Sequence, residues 1–243
     1  MTTPTIVFSL GAWTKPSAFA TLLEKGIPCE TPPHPSVGSE PPTKTLQDDV
    51  SSLRSVLTRL IEAEGKDVIV VAHSYGGVVA SCAVEGLSKT DRAAAGIRKP
   101  GGVCRVAYLA AFALDKGMSL VDMLGGELLP WMHADGDYVY CATDPSIAFH
   151  DLTLDDQKKW QSELVQTSRA VFFGPATYEP WGQIPVAYII CDEDGMLPPP
   201  VQEIMVDKMG EDCLTYRLKA SHWPFLSIPD EMVGVLVDLA EKS

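Results

Sequence analysis

The sequence predicts an α/β protein: a doubly wound, mostly parallel open sheet with a helical cap inserted after a central strand. Three observations predict it. Continuous apolar runs such as Asp67–Ala72 (DVIVVA) and Val186–Cys191 (VAYIIC) suit parallel strands covered on both faces, not the alternation of a half-solvated sheet. Segments with apolar residues at helical spacing separate those runs. The rhythm lapses between Leu114 and Trp181, where no good strand stands out and short helical patterns accompany Trp131, Trp160 and Trp181.

Taken in order, Thr5–Leu10 reads as a buried strand and Gly26–Cys29 as a short second one. The stretch Thr31 to Pro42 carries Pro32, Pro33, Pro35, Pro41 and Pro42 and reads as loop. A helix follows, with Val50, Leu53, Val56, Leu57, Leu60 and Ile61 on one face, Thr45 and Asp48 as a capping-box start and Gly65 as its stop. After the strand Asp67–Ala72, Gly76–Leu87 reads as a small-residue helix able to lie close to the sheet, and Ser88–Gly102 as a basic loop. Val103–Ala111 is the next strand. Val186–Cys191 and Cys213–Leu218 complete the sheet, with helices at Pro200–Met209 and Asp230–Lys242. The expected organisation is therefore a core of residues 1–114 and 182–243 and a helical cap of residues 115–181 over the sheet edge where α/β proteins bind ligands.

Composition narrows the function classes. Lys and Arg number 19 against 32 Asp and Glu, a net charge of −13, which disfavours nucleic acid and anionic membrane surfaces as partners. The N-terminal run Ile6–Leu10 is too short for a signal-peptide core or a membrane span. Six widely spaced cysteines show no zinc-ligand spacing and read as free thiols of a cytoplasmic protein. The expectation is a small-molecule substrate, no metal or other cofactor, and a monomer or homodimer.

The chemistry concentrates at Ala72-His73-Ser74-Tyr75-Gly76-Gly77, between the strongest strand and the small-residue helix. A nucleophile elbow needs small residues two before and two after the nucleophile, here Ala72 and Gly76, and presents Ser74 at a helix N-terminus that favours negative charge. The bare pattern arises by chance in roughly one in five chains of this length, so the strand–turn–helix context carries the reading. A serine hydroxyl needs a base. Of His34, His73, His133, His150 and His222, only His222 follows the last strand and so shares the sheet edge with Ser74. His73 reads as structural, because neighbours at an elbow point apart. The acid falls in Asp192-Glu193-Asp194, after the strand Val186–Cys191, with Asp115 an outside candidate; the chain order Ser, Asp, His suits this topology.

These residues, with Leu10–Trp13, Tyr108–Phe112, Tyr188–Pro198 and Ser221–Ser227, resemble the α/β-hydrolase fold superfamily. Within it the similarity is to esterases related to plant methylesterases and hydroxynitrile lyases and their fungal and bacterial relatives. The resemblance implies that Asp194, in Cys191-Asp192-Glu193-Asp194, is the acid, and that the backbone N–H groups of Ala12 and Tyr75 form an oxyanion hole. Two positions depart from the family: Leu10-Gly11 replaces the usual His-Gly, and Ala72 the usual Gly before the elbow.

The leading function is cleavage of a carboxylic ester, thioester or lactone of a small to medium hydrophobic substrate by a Ser74-His222-Asp194 triad. Lyase, cyclase or decarboxylase chemistry on the same scaffold, or ligand binding with little turnover, are the alternatives that fold analogy leaves open. The aromatic content of the cap suggests an apolar pocket, with Trp13, Trp223 and Trp131 as its walls.

Overall fold

The computed structural model describes residues 3–243. Among these described residues nine strands run as β1 (Thr5–Ser9), β2 (Cys29–Glu30), β3 (Asp67–His73), β4 (Gly102–Leu109), β5 (Met132–Asp135), β6 (Tyr138–Cys141), β7 (Thr167–Ser168), β8 (Val186–Cys191) and β9 (Leu214–Leu218). Six of them form one sheet in the order β2-β1-β3-β4-β8-β9, and every neighbouring pair is parallel. The helices are α1 (Ala20–Glu24), α2 (Leu46–Thr58), α3 (Gly76–Ala83), α4 (Lys89–Ala94), α5 (Leu120–Met123), α6 (Pro145–Ala148), α7 (Leu154–Glu163), α8 (Pro199–Met209), α9 (Pro224–Ser227) and α10 (Pro229–Glu241).

β3 shows why the sheet needs two covering layers. Val68, Val70 and Ala72 enter one core with Leu53, Leu57 and Met205, while Ile69 and Val71 enter the other with Phe19, Phe225, Leu236 and Leu239. Successive strand residues point to opposite faces, so a strand apolar at every position must be buried on both. α2 begins as its sequence dictates: Asp48 accepts hydrogen bonds from the Thr45 N–H and hydroxyl, both at 2.8 Å. Its apolar stripe continues past Thr58 into a wider turn, Arg59–Ala63, that buries Leu60 and Ile61.

Three expectations are corrected. The second strand is Cys29–Glu30, paired with Ile6 and Val7, and not Gly26–Cys29. Part of Ser88–Gly102 is helix, not loop: Ser88 Oγ accepts the Asp91 N–H at 2.9 Å, and Arg92 turns inward to pair with Glu62. The insertion between β4 and β8 holds the expected helical pieces, and it also carries a small antiparallel sheet, β5-β6-β7. Its hairpin turns at Gly136 (φ 58°), between strands of four residues, too short to register as alternation in the sequence.

Candidate active site

Ser74 sits between the end of β3 and the start of α3 in a left-handed conformation, φ 54°. For a residue with a Cβ this costs on the order of 1–2 kcal/mol, and it is held there by its surroundings. Its N–H donates to Leu109 O (3.3 Å), and its carbonyl accepts from Gly77 and Phe112. Glycine at 76 lets α3 come down onto the strand ends, since a Cβ there would lie 2.3 Å from Ser9 O and 2.4 Å from Leu10 O. Among the described residues the other non-glycine positions with positive φ, Trp13 and Ala110, follow β1 and β4, so the strained backbone gathers at the same sheet edge.

His222 follows β9, and its Nδ1 lies 2.6 Å from Asp194 Oδ2. A carboxylate oxygen accepts, so Nδ1 carries the proton and Nε2 presents a lone pair or, when charged, a second proton. Both side chains are almost wholly buried. Asp194 Oδ1 accepts the N–H groups of Met196 (2.8 Å) and Leu197 (2.9 Å), and buried Gln202 reaches Oδ2 at 3.4 Å. The other acidic candidates lie elsewhere: Asp192 pairs with Arg217 (2.6 Å), Glu193 with Lys219 (3.7 Å) and Asp115 with Lys208 (2.9 Å). Among the described residues no hydrogen bond joins Ser74 to His222. Such contacts are commonly long before substrate binds.

His73 turns away from the cleft, as its place at the elbow predicts. Its Nε2 donates to the carbonyl of His222 at 2.8 Å, and its ring lies 4.7 Å from that of His222. Burial, reinforced by His222, holds it well below the ordinary histidine pKa, so it is neutral.

Ser74 opens onto a narrow cleft with Ala12, Tyr75, Trp13, Trp131 and Phe172 among its walls and no charged side chain in its lining. The N–H groups of Ala12 and Tyr75 make no hydrogen bond to another backbone carbonyl among the described residues. Trp13 is fixed by the insertion: its N–H donates to Thr167 Oγ1 and its indole Nε1 to Val139 O, each at 2.9 Å. Its ring stacks on Phe172 (5.8 Å) and meets Trp131 edge-on (5.7 Å). Trp223 lies outside this cleft. It stacks on Phe149 at 4.4 Å, lines a separate small cavity with Thr14 and Trp160, and packs edge-on against His222.

Sequence reasoning missed a second buried network. Asp49, inside α2, accepts the Ser36 N–H (2.9 Å), the Ser36 hydroxyl (2.6 Å) and the Tyr75 phenol (2.9 Å). His34, assigned only to the proline-rich loop, is buried, donates from Nε2 to Leu10 O at 3.0 Å and meets Tyr75 edge-on. The one available signal was an aspartate on the apolar side of a helix, between Leu46 and Val50. Among the described residues no three His, Cys, Asp or Glu side chains converge as metal ligands would.

A family model described as "Alpha/beta hydrolase family" matches residues 6–235. The chain belongs to that family. It is 30% identical over 224 residues to the alpha/beta hydrolase nvfD of Aspergillus novofumigatus, covering 86% of this chain and 84% of that one. It is 26% identical over 223 residues to methylesterase 7 of Arabidopsis thaliana, covering 82% and 78%. Among solved structures, a pyrethroid hydrolase from Sphingobium faniae superposes with a TM-score of 0.77 at 22% identity, covering 99% and 98%, which shows the shared fold. Family membership and the esterases among its relatives mark the chain as a hydrolase-type enzyme of the esterase-like branch.

Proposed function

We propose that the protein is a serine hydrolase that cleaves a neutral carboxylic ester, thioester or lactone of small to medium size and apolar character. The observation that carries the reading is the His222–Asp194 pair, 2.6 Å apart and buried, on the sheet edge that also bears the strained Ser74. In this reading His222 Nε2 takes the Ser74 hydroxyl proton as Oγ attacks the substrate carbonyl carbon. The Ala12 and Tyr75 N–H groups bind the oxyanion, and each such donor contributes about 10²–10³ in rate. Collapse of the tetrahedral intermediate expels the alcohol or thiol, which leaves with the proton from His222. Water, deprotonated by the same imidazole, then adds to the acyl-enzyme, and the acid leaves as the imidazolium returns that proton to Ser74 Oγ. Asp194 keeps the proton on Nδ1 and stabilises the imidazolium.

The lining supports the substrate class. A charged group entering a cleft of Trp13, Trp131 and Phe172 would lose its hydration without a partner. Residues 115–181 act as the cap, closing the cleft with Trp131 and Phe172. The substrate is a diffusing small molecule and the reaction uses no cofactor. The protein works as a monomer or homodimer, away from nucleic acid and membranes; no described helix is long and apolar enough to cross one. Six free thiols, with Cys29, Cys104 and Cys213 each pushed up by burial to about 11, suit the reducing cytoplasm.

The test is intact-mass analysis after treatment with a fluorophosphonate. One adduct on the wild type and none on Ser74→Ala supports an activated Ser74. Absence of any adduct on folded wild-type protein overturns the reading.

A further inference from the structure

Residues 147–151 of the insertion meet both loops that carry the acid and the base. Asp151 Oδ2 accepts the N–H of Ser221 at 2.8 Å, one residue before His222. His150 Nε2 donates to Glu193 O at 2.8 Å, one residue before Asp194. Phe149 stacks on Trp223, one residue after His222. Ile147 fills the space over Gly195, where a Cβ would come within 2.7 Å of its Cγ2. From the elbow, His73 holds the His222 carbonyl at 2.8 Å. The backbone of His222 is thus gripped at the preceding N–H by the insertion and at its own C=O by the core.

Asp151 is an unusual choice for this contact. Its second oxygen, Oδ1, is buried without a hydrogen-bond partner among the described residues. Removing Asp151 would leave the buried N–H of Ser221 without its acceptor, one residue from the base. The Ser221 hydroxyl is also buried and unpartnered among the described residues.

We propose that Asp151 is a positioning residue for His222: by accepting the Ser221 N–H, it makes the placement of the base depend on how the inserted segment is seated. The proposal rests on the reading of His222 as the general base. It assigns the insertion a part in the chemistry, beyond that of covering the cleft. A base displaced by about 1 Å loses on the order of 10²-fold in rate while the binding cleft, formed by other residues, is untouched.

The experiment measures p-nitrophenyl butyrate hydrolysis by the full-length protein, after fluorophosphonate labelling of Ser74 has been established on the wild type. Failure of that labelling would count against the serine-hydrolase reading itself. With labelling in hand, Asp151→Ala is expected to lower kcat about tenfold to a hundredfold at unchanged KM. Asp151→Asn, whose amide oxygen still accepts the Ser221 N–H, is expected to stay within threefold of wild type. Equal losses in both variants, an unchanged kcat in Asp151→Ala, or a rise in KM alone would each overturn the proposal. Asp151→Ser, too short to bridge the contact, replaces the alanine variant if that does not fold. If neither folds, the contact is structural and the proposal falls.

Discussion

Nδ1 of His222 meets the Asp194 carboxylate at 2.6 Å, while Asp192, two residues earlier on the same loop, faces outward to Arg217. The two carboxylates are alike in sequence and opposite in placement. Asp194→Asn replaces an acceptor with an amide that can present N–H to the imidazole, favouring the wrong tautomer. The expected loss in kcat is about 10³–10⁴-fold with the fold retained. Asp192→Asn removes half of an exposed ion pair and is expected to change kcat by less than twofold and stability by under about 1 kcal/mol. Steady-state hydrolysis of an activated ester by both variants checks this. A larger loss at 192 than at 194 would move the acid.

Tyr75 supplies one of the two backbone N–H groups assigned to the oxyanion, and its side chain is tied to Asp49 at 2.9 Å. Asp49→Ala strands the Tyr75 phenol and both Ser36 donors in the interior. Each stranded donor costs about 1–3 kcal/mol, so the loss is expected to be on the order of 3 kcal/mol, or roughly 6–12 °C in Tm. Tyr75→Phe leaves the Ser36 bonds in place and is expected to cost about 1 kcal/mol. Thermal unfolding of the two variants separates them, and equal Tm values would show that the Ser36 bonds add nothing.

His34 and His73 are both buried, and burial lowers both pKa values from 6.5, only partly opposed at His34 by Asp49. The unfolded chain takes up protons at these rings near pH 6.5, while the folded chain takes them up only at lower pH, and His73 lower still. The stability these two rings contribute is therefore fully present above about pH 6.5 and is lost as the pH drops towards each ring's lowered folded value, by at most about 1.4 kcal/mol per pH unit for each ring. Carboxylates held low, such as Asp48 and Asp122, add their loss only at lower pH, within the carboxylate range. Denaturant unfolding at pH 7, 6 and 5 tests this directly. Replacing His73 by Gln is expected to reduce the slope by about one proton; an unchanged slope would mean that His73 does not remain neutral in the fold.

How much of this was legible depends on length. β3 and β8 stood out because five apolar residues in a row (Val68–Ala72) and six (Val186–Cys191) leave little choice but a strand covered on both faces. β5 and β6 did not, because four residues give too few alternations, although the turn around Asp135–Asp137 between them was visible. Ser74 and His222 could be placed by their positions after β3 and β9, a matter of topology. Asp194 could be separated from Asp192 only by resemblance, because adjacent loop carboxylates carry no pattern. The Asp49–Tyr75 and Asp151–Ser221 contacts join residues 26 and 70 positions apart, and no local signal encodes such pairs.

Glycine at 76 and glycine at 234 make opposite demands. A Cβ at 76 would lie 2.3 Å from Ser9 O, a backbone atom fixed in the sheet, so α3 and Ser74 with it would have to move. Gly76→Ala is therefore expected to cost about 3 kcal/mol or more and to remove fluorophosphonate labelling of Ser74. Gly234 lies within α10 with open space where its Cβ would stand, so Gly234→Ala is expected to stabilise by about 0.5–1 kcal/mol through helix propensity. Thermal unfolding of the pair gives shifts of opposite sign if the close approach of α3 to β1 sets the elbow. A Gly76→Ala protein as stable and as readily labelled as wild type would mean that the elbow tolerates a wider spacing than the Ser9–Gly76 contact imposes.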